Sequence, residues 1–188
     1  MTVNKHGSFY MRSGWGTKII QALSDDKYIF SPSNEQIAVD EIGLGRVMIK
    51  ALRYWAPVLG LTEEEKDKVG IKQEQTSLFM TIKKNDKYFQ KKGSLLLMHR
   101  NLALNSDNAT AWYWFFNKWE SSFVTKEEFV EGLQTYLAVN EMKIKKETLE
   151  KEYNCLKNMY IGEKQFELKN IMDEDTYPFL APIRILEY

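Results

Sequence analysis

The chain has 188 residues, 44% of them apolar and 28% charged, with a formal net charge of zero. That balance supports a sizeable core and excludes a globally disordered chain or a bulk polycation, so any grip on nucleic acid must come from local patches. Its one cysteine, Cys155, excludes an internal disulfide and a cysteine-built zinc site, and no apolar run approaches the roughly 18 residues of a membrane span.

The opening "MTVNKHGSFYMRSGW" lacks the apolar core of a signal peptide, so a cytoplasmic, non-membrane protein is the expectation. Trp15, Ile19, Ala22 and Leu23 then recur at helical spacing. "SPSNEQIAVDEIG" offers Ser33 or Asn34 as an N-cap for a short helix and Gly43 to stop it. A second helix follows at once, from about Gly45 to Leu59. "TSLFMTIKK" reads as a short strand. "GSLLLMHRNLAL" and "NATAWYWFFNKW" read as helices, the latter so aromatic that it serves as a central strut. "TKEEFVEGLQTYLAV" opens with Thr125 and Glu128 as a capping box, and "KETLEKEYNCLKNMY" is the last long helix, stopping near Gly162.

Residues 42–60 carry three basic groups and no acid. On a helical wheel Arg46, Lys50 and Arg53 stack on one side, opposite Val47, Met48, Ala51, Leu52, Trp55 and Val58. Two short helices joined at a glycine turn, followed by a lysine-rich strand, outline a winged helix-turn-helix. Its second helix would enter the major groove, with Lys83 and Lys84 on or near the wing. A solvated amphipathic face has the same spacing, and many winged helices bind only proteins. The pair of helices at 125–160 repeats the pattern, with Lys145, Lys146 and Lys151 as further candidate DNA contacts, diluted by Glu147, Glu150 and Glu152. The expected fold is therefore mostly α with short β: a winged helix-turn-helix-like unit at 1–92 and a helical unit at 93–188. The second unit is itself winged-helix-like, or the whole is one compact domain.

Sites for chemistry are sparse. His99 shares a face with Leu95, Met98 and Leu102, which is the setting of a hydrogen-bonded core histidine. "HRN" at 99–101 matches a fragment of histidine-asparagine nucleases, a tripeptide of little specificity. Glu63–Glu65 and Asp173–Asp175 read as solvated loops or a helix start. Asp86, alone among lysines, reads as a turn residue or a partial Mg²⁺ ligand. No P-loop, dinucleotide-binding or hydrolase-elbow motif is present.

"HGSFYMRSGW" with Lys18 resembles a signature His-x-x-Phe-x-x-Arg-x-Gly-Trp-x-x-Lys. "IGLGRVMIKALRYWAPVLGL", "DKYF", "LLLMHRNLA", "ATAWYWFFN", "TLEKEYNCLKNMY" and "YPFLAPIRIL" are similar, in order, to further segments of the same family, the bacterial domain of unknown function 4007. The resemblance implies a winged-helix protein that interacts with double-stranded DNA, encoded beside a cysteine desulfurase, a sulfurtransferase-like reductase and an ATPase in phosphorothioation and phage-defence clusters. It also implies, as alternatives, a Mg²⁺-dependent DNA nickase drawing on His6, Arg12, Lys18 and Asp86, or a non-catalytic adaptor. Acids common in the family are missing here: Gly7 and Ser8 stand in the first motif, and Gln90, Lys91 and Lys92 follow Asp-x-Tyr. The late Lys-Arg-Asp reads Glu150, Lys151 and Glu152. Mg²⁺ needs oxygen ligands, so weak nicking by the isolated chain is the expectation.

Overall fold

The computed structural model describes residues 1–161 and 177–186; Gly162 and the acidic stretch 163–175 lie outside them. The chain is mostly helical, with one small antiparallel sheet. In order come α1 (Trp15–Asp25), a 3-10 turn (Pro32–Asn34), α2 (Glu35–Ile42) and α3 (Arg46–Val58). Then follow β1 (Thr62–Lys66), β2 (Ile71–Gln75), α4 (Ser77–Asn85), α5 (Lys92–Ala103), α6 (Thr110–Lys118), α7 (Lys126–Val139) and α8 (Lys146–Tyr160).

α2 stops at Gly43, whose φ of 71° lies in the left-handed region that favours glycine. Ile42, the last residue of α2, has a carbonyl with no further turn to bond. Lys18 Nζ donates to it at 2.9 Å and so ties α1 to the α2–α3 turn. At the far end of α3, Asn101 Nδ2 donates to Leu59 O at 3.0 Å. The "HRN" tripeptide is thus a packing feature: Asn101 holds the end of α3, and His99 Nδ1 meets the Tyr160 hydroxyl at 2.8 Å.

Two expectations are corrected. "TSLFMTIKK" is helical: Thr76 caps α4 by accepting from Phe79 N, and Phe79 and Ile82 bury one helical face. Lys83 and Lys84 therefore sit in the last turn of a helix, where cations suit the dipole, and not on a wing strand. The strands lie earlier, in "TEEEK" and "IKQEQ", with Thr62 opposite Gln75 and Lys66 opposite Ile71. These strands have little apolar character. Polar side chains hold them instead: Gln73 Nε2 donates to Arg53 O (2.8 Å), Gln75 Nε2 to Leu23 O (2.5 Å), and Asp67 Oδ1 accepts from Val69 and Gly70 in the turn.

One apolar cluster runs from Trp15, Leu23 and Trp55 through Trp112 to Phe129, Leu149 and Met159. α6 bridges it. Trp112 meets Trp55 edge-on at 5.5 Å, and Trp114 meets Phe129 edge-on at 5.3 Å. Gly132 of α7 lies so close to Trp114 that a Cβ there would sit 2.8 Å from the ring. No helix among the described residues is long and apolar enough to cross a membrane.

Candidate nucleic-acid interface

The glycine turn sets α3 directly after α2, and the β1–β2 hairpin follows α3. The wheel of α3 is rotated slightly from the expected one. Ile49 is buried and Val47 is 54% exposed, so the outer face at its start is Arg46, Val47 and Lys50. Each basic side chain of α3 meets a carboxylate of a neighbouring element. Glu35, at the start of α2, reaches Lys50 Nζ at 3.0 Å and Arg46 Nε at 3.8 Å. Arg46 also donates to Gln36 Oε1 at 2.9 Å. Arg53 forms a two-pronged pair with Glu64 of β1, both contacts at 2.8 Å. The guanidinium holds the Glu64 carboxyl below its ordinary range. Arg46 and Lys50 remain about two-thirds exposed (66% and 67%), whereas Arg53 is 27% exposed. The cations facing solvent are thus Arg46 and Lys50, and Arg53 serves the joint between helix and hairpin. On the hairpin Lys72 lies between Glu65 and Glu74, and Lys27 also pairs with Glu74.

The other basic candidates are dispersed. Lys83 and Lys84 are exposed on α4, Lys145 immediately precedes α8 and is exposed, and Lys146 and Lys151 are exposed along α8.

The four residues suspected of catalysis occupy separate structural positions. Lys18 bonds the end of α2. Asp86 organises the loop before α5: its carboxylate accepts from Gln90 N (2.9 Å), Lys91 N (3.1 Å) and Ser94 Oγ (2.6 Å). Arg12 lays its guanidinium over Tyr10 (5.3 Å) and Trp15 (5.4 Å), while its backbone bridges to Pro178. His6 is buried at 1% exposure and stacks on Trp55 at 5.6 Å. Among the described residues no three His, Cys, Asp or Glu side chains gather as a metal cage.

His6 has a partner that spacing alone did not single out. Its Nδ1 accepts from Ser8 N at 3.1 Å, which leaves the ring proton of the neutral imidazole on Nε2. Nε2 faces Glu152 Oε1 at 3.2 Å, and the same oxygen accepts from Asn4 N. Glu152 is also 1% exposed. Read from the sequence as an acid that dilutes a basic face, Glu152 is instead buried; the signal that could have found it is the i, i+3, i+7, i+10 stripe of Leu149, Glu152, Leu156 and Met159.

The family model described as "Protein of unknown function (DUF4007)" matches residues 3–187. The chain belongs to the DUF4007 family. A search of the curated proteins gives no match. Among solved structures this DUF4007 chain is similar to a crystal structure of SspB, at 22% identity and a TM-score of 0.74. It is likewise similar to a magnesium ion-bound SspB structure, at 21% identity and a TM-score of 0.77. Each likeness covers 95% of this chain but 54% of the solved one, so the DUF4007 chain spans about half the length of those proteins. At these identities the shared property is the fold.

In this DUF4007 chain the first and late motifs meet. His6 opens "HGSFYMRSGW", and Glu152 stands at the acidic position of "TLEKEY". The departure from Asp to Glu there preserves a carboxylate, and the burial of both groups gives it a joining role: it fastens the N-terminal segment to α8.

Proposed function

We propose that this chain is a duplex-DNA-binding component of a phosphorothioation-linked phage-defence system, with α1–α3 and the β1–β2 hairpin acting as a winged helix-turn-helix. The observation that carries the reading is the order α2, glycine turn, α3, hairpin, with Arg46, Val47 and Lys50 exposed at the start of α3. The N-terminal residues of such a second helix reach base edges and phosphates, and the hairpin lies alongside. The motif resemblance supplies the system, and with it the partners: double-stranded DNA, cysteine desulfurase, sulfurtransferase-like reductase and ATPase. The test is fluorescence anisotropy of a labelled duplex at several salt concentrations. Binding that weakens steeply with salt supports the reading. Absent or salt-indifferent binding would leave a protein adaptor in its place.

A second reading, a Mg²⁺-dependent DNA nickase, is favoured by one observation: a solved neighbour of the same fold is magnesium ion-bound. Conversion of supercoiled plasmid to open circles by the purified chain, with Mg²⁺ and not with a chelator, would establish it.

A further inference from the structure

The segment ahead of α1 is fastened at several points. Thr2 N donates to Thr110 Oγ1 of α6 at 2.8 Å, and Asn4 N donates to Glu152 Oε1 of α8. His6 is buried against α3, stacked on Trp55 at 5.6 Å and tilted to Tyr54 at 5.9 Å. Phe9 O accepts from Trp55 Nε1 at 2.9 Å. Between these anchors residues 4–8 form a tight loop, in which Gly7 N donates to Asn4 O at 3.2 Å and Ser8 N to His6 Nδ1 at 3.1 Å. Its backbone is left-handed at Asn4 (φ 58°), Gly7 (58°) and Ser8 (70°). Asn tolerates that region and Ser seldom enters it. Such conformations persist only where the surroundings over-determine them, and they gather at ligand clamps and active sites.

The buried His6 holds the loop, and Lys5, Gly7 and Ser8 are exposed around it. A Cβ placed on Gly7 would lie 4.0 Å from Val47 Cγ1. Val47 is on the outer face at the start of α3, with Arg46 and Lys50. The loop therefore borders the face of α3 that the duplex reading turns toward DNA. Lys5 lies toward the hairpin: the Glu64 carboxyl, lowered first by its hydrogen bonds from Arg53, is lowered further by the charge of Lys5. An α-helix with its side chains is about 10–12 Å across, and the major groove of B-DNA is about 12 Å wide. A helix seated there fills the groove. An exposed element packed beside the helix then meets the sugar–phosphate strand at the groove's edge. Contacts of that kind fix register, and a loop clamped in advance loses little freedom in making them.

We propose that the loop Asn4–Ser8 is a second duplex-contact element, a preformed clamp beside α3 in which Lys5 meets a phosphate of the bordering strand and Gly7 and Ser8 lie against that strand's backbone. The inference rests on the duplex reading of α3, and the test separates the two.

Labelled duplex is titrated by anisotropy at several salt concentrations. Asn and Asp have the same shape and both tolerate the φ of 58° at position 7, so Gly7→Asn and Gly7→Asp differ only in charge. At about 50 mM salt Gly7→Asp should bind at least about tenfold more weakly than Gly7→Asn, a gap that closes as salt rises. The same pair of substitutions at Thr135, exposed on α7, should bind alike. Lys5→Ala should flatten the slope of log K against log salt by about 0.9, so that its deficit against wild type shrinks about three- to fourfold between about 50 and 200 mM salt. Lys5 is exposed, and the melting temperature should stay as it is. Suppose that wild type binds duplex and Arg46→Ala with Lys50→Ala weakens it, while Gly7→Asp matches Gly7→Asn and Lys5→Ala keeps the wild-type slope. The loop is then off the interface, and the proposal is overturned with the α3 reading intact. A gap at Thr135 as large as that at Gly7 assigns the effect to net charge and overturns the proposal equally. If wild type binds no duplex at any salt concentration, the α3 reading and the loop's role fall together.

Discussion

Glu152 shows how much one side chain can hold. Its carboxylate is out of water, and it is answered by the Nε2 proton of His6 and the backbone N–H of Asn4. Removing the acceptor leaves these buried donors without a partner, so Glu152→Ala should cost about 1–3 kcal/mol of stability. Glu152→Gln, which keeps an accepting oxygen, should cost distinctly less. Urea denaturation of the two variants checks the order; equal losses would mean that volume, and not acceptance, is what the site requires. Arg53 and Glu64 make the contrasting case of a partly exposed pair, at 27% and 35% exposure. Screening by solvent limits its contribution to about 0.5–1 kcal/mol even with two-pronged geometry. Glu64 has a folded pKa below its ordinary 4.5, so the contribution is complete above that value and fades as the pH falls through the lower, folded one. Arg53→Ala should therefore lower the melting temperature at pH 7 and have a shrinking effect as the solution is acidified below about 4.5. A difference that stays constant down to pH 2 would exclude the ion pair as its source.

At the level of elements, what the residue pattern disclosed and what it hid follow from which forces fix each segment. α7 was plain in the sequence because its start is local chemistry: Thr125 accepts from Glu128 N, and the Glu128 carboxylate accepts from Thr125 N at 2.8 Å. Thr125→Ala should cost about 1 kcal/mol, read as a fall in the melting midpoint; no change would show the cap to be replaced by water. The β1–β2 hairpin was hidden because "TEEEK" has no apolar alternation, and its pairing depends on Gln73 and Gln75 reaching carbonyls of α3 and α1. Such contacts belong to the folded neighbourhood and leave no period in the sequence. "TSLFMTIKK" misled for the opposite reason, since its β-branched content suggests a strand while the Thr76 cap and the Phe79–Ile82 spacing decide for a helix. For the candidate site, the basic character of α3 was legible, but the carboxylates of Glu35 and Glu64 that meet it come from other elements. The bridging role of α6 was visible in its aromatic density. Trp112 is fully buried, and its Nε1 meets no hydrogen-bond partner among the described residues. Trp112→Ala should cost about 3–5 kcal/mol. Trp112→Phe should cost much less, because it keeps a ring and removes an unpaired N–H. Thermal melts of both variants decide whether ring packing is the source of the stability.

Across the whole molecule the charges cancel, and function must come from where they fail to cancel locally. On the α3 face the cancellation is nearly built in. Glu35 sits between Arg46 and Lys50, where a phosphate of bound duplex would lie on the winged-helix reading. On that reading its carboxylate would compete with DNA for the same two cations. Arg46→Ala with Lys50→Ala should weaken duplex binding and flatten the slope of log K against log salt by about one unit for each phosphate left without its cation. Glu35→Gln should act in the other direction, strengthening duplex binding most at low salt, where screening is weakest. Both variants alter exposed or half-exposed side chains, so the melting temperature should move little. Anisotropy titrations at three or more salt concentrations give both slopes. If wild type binds duplex and Glu35→Gln leaves affinity and slope as they were, the duplex is met elsewhere, with the exposed lysines of α4 or α8 next in line. If the double variant also leaves them unchanged, α3 is not the helix that meets DNA.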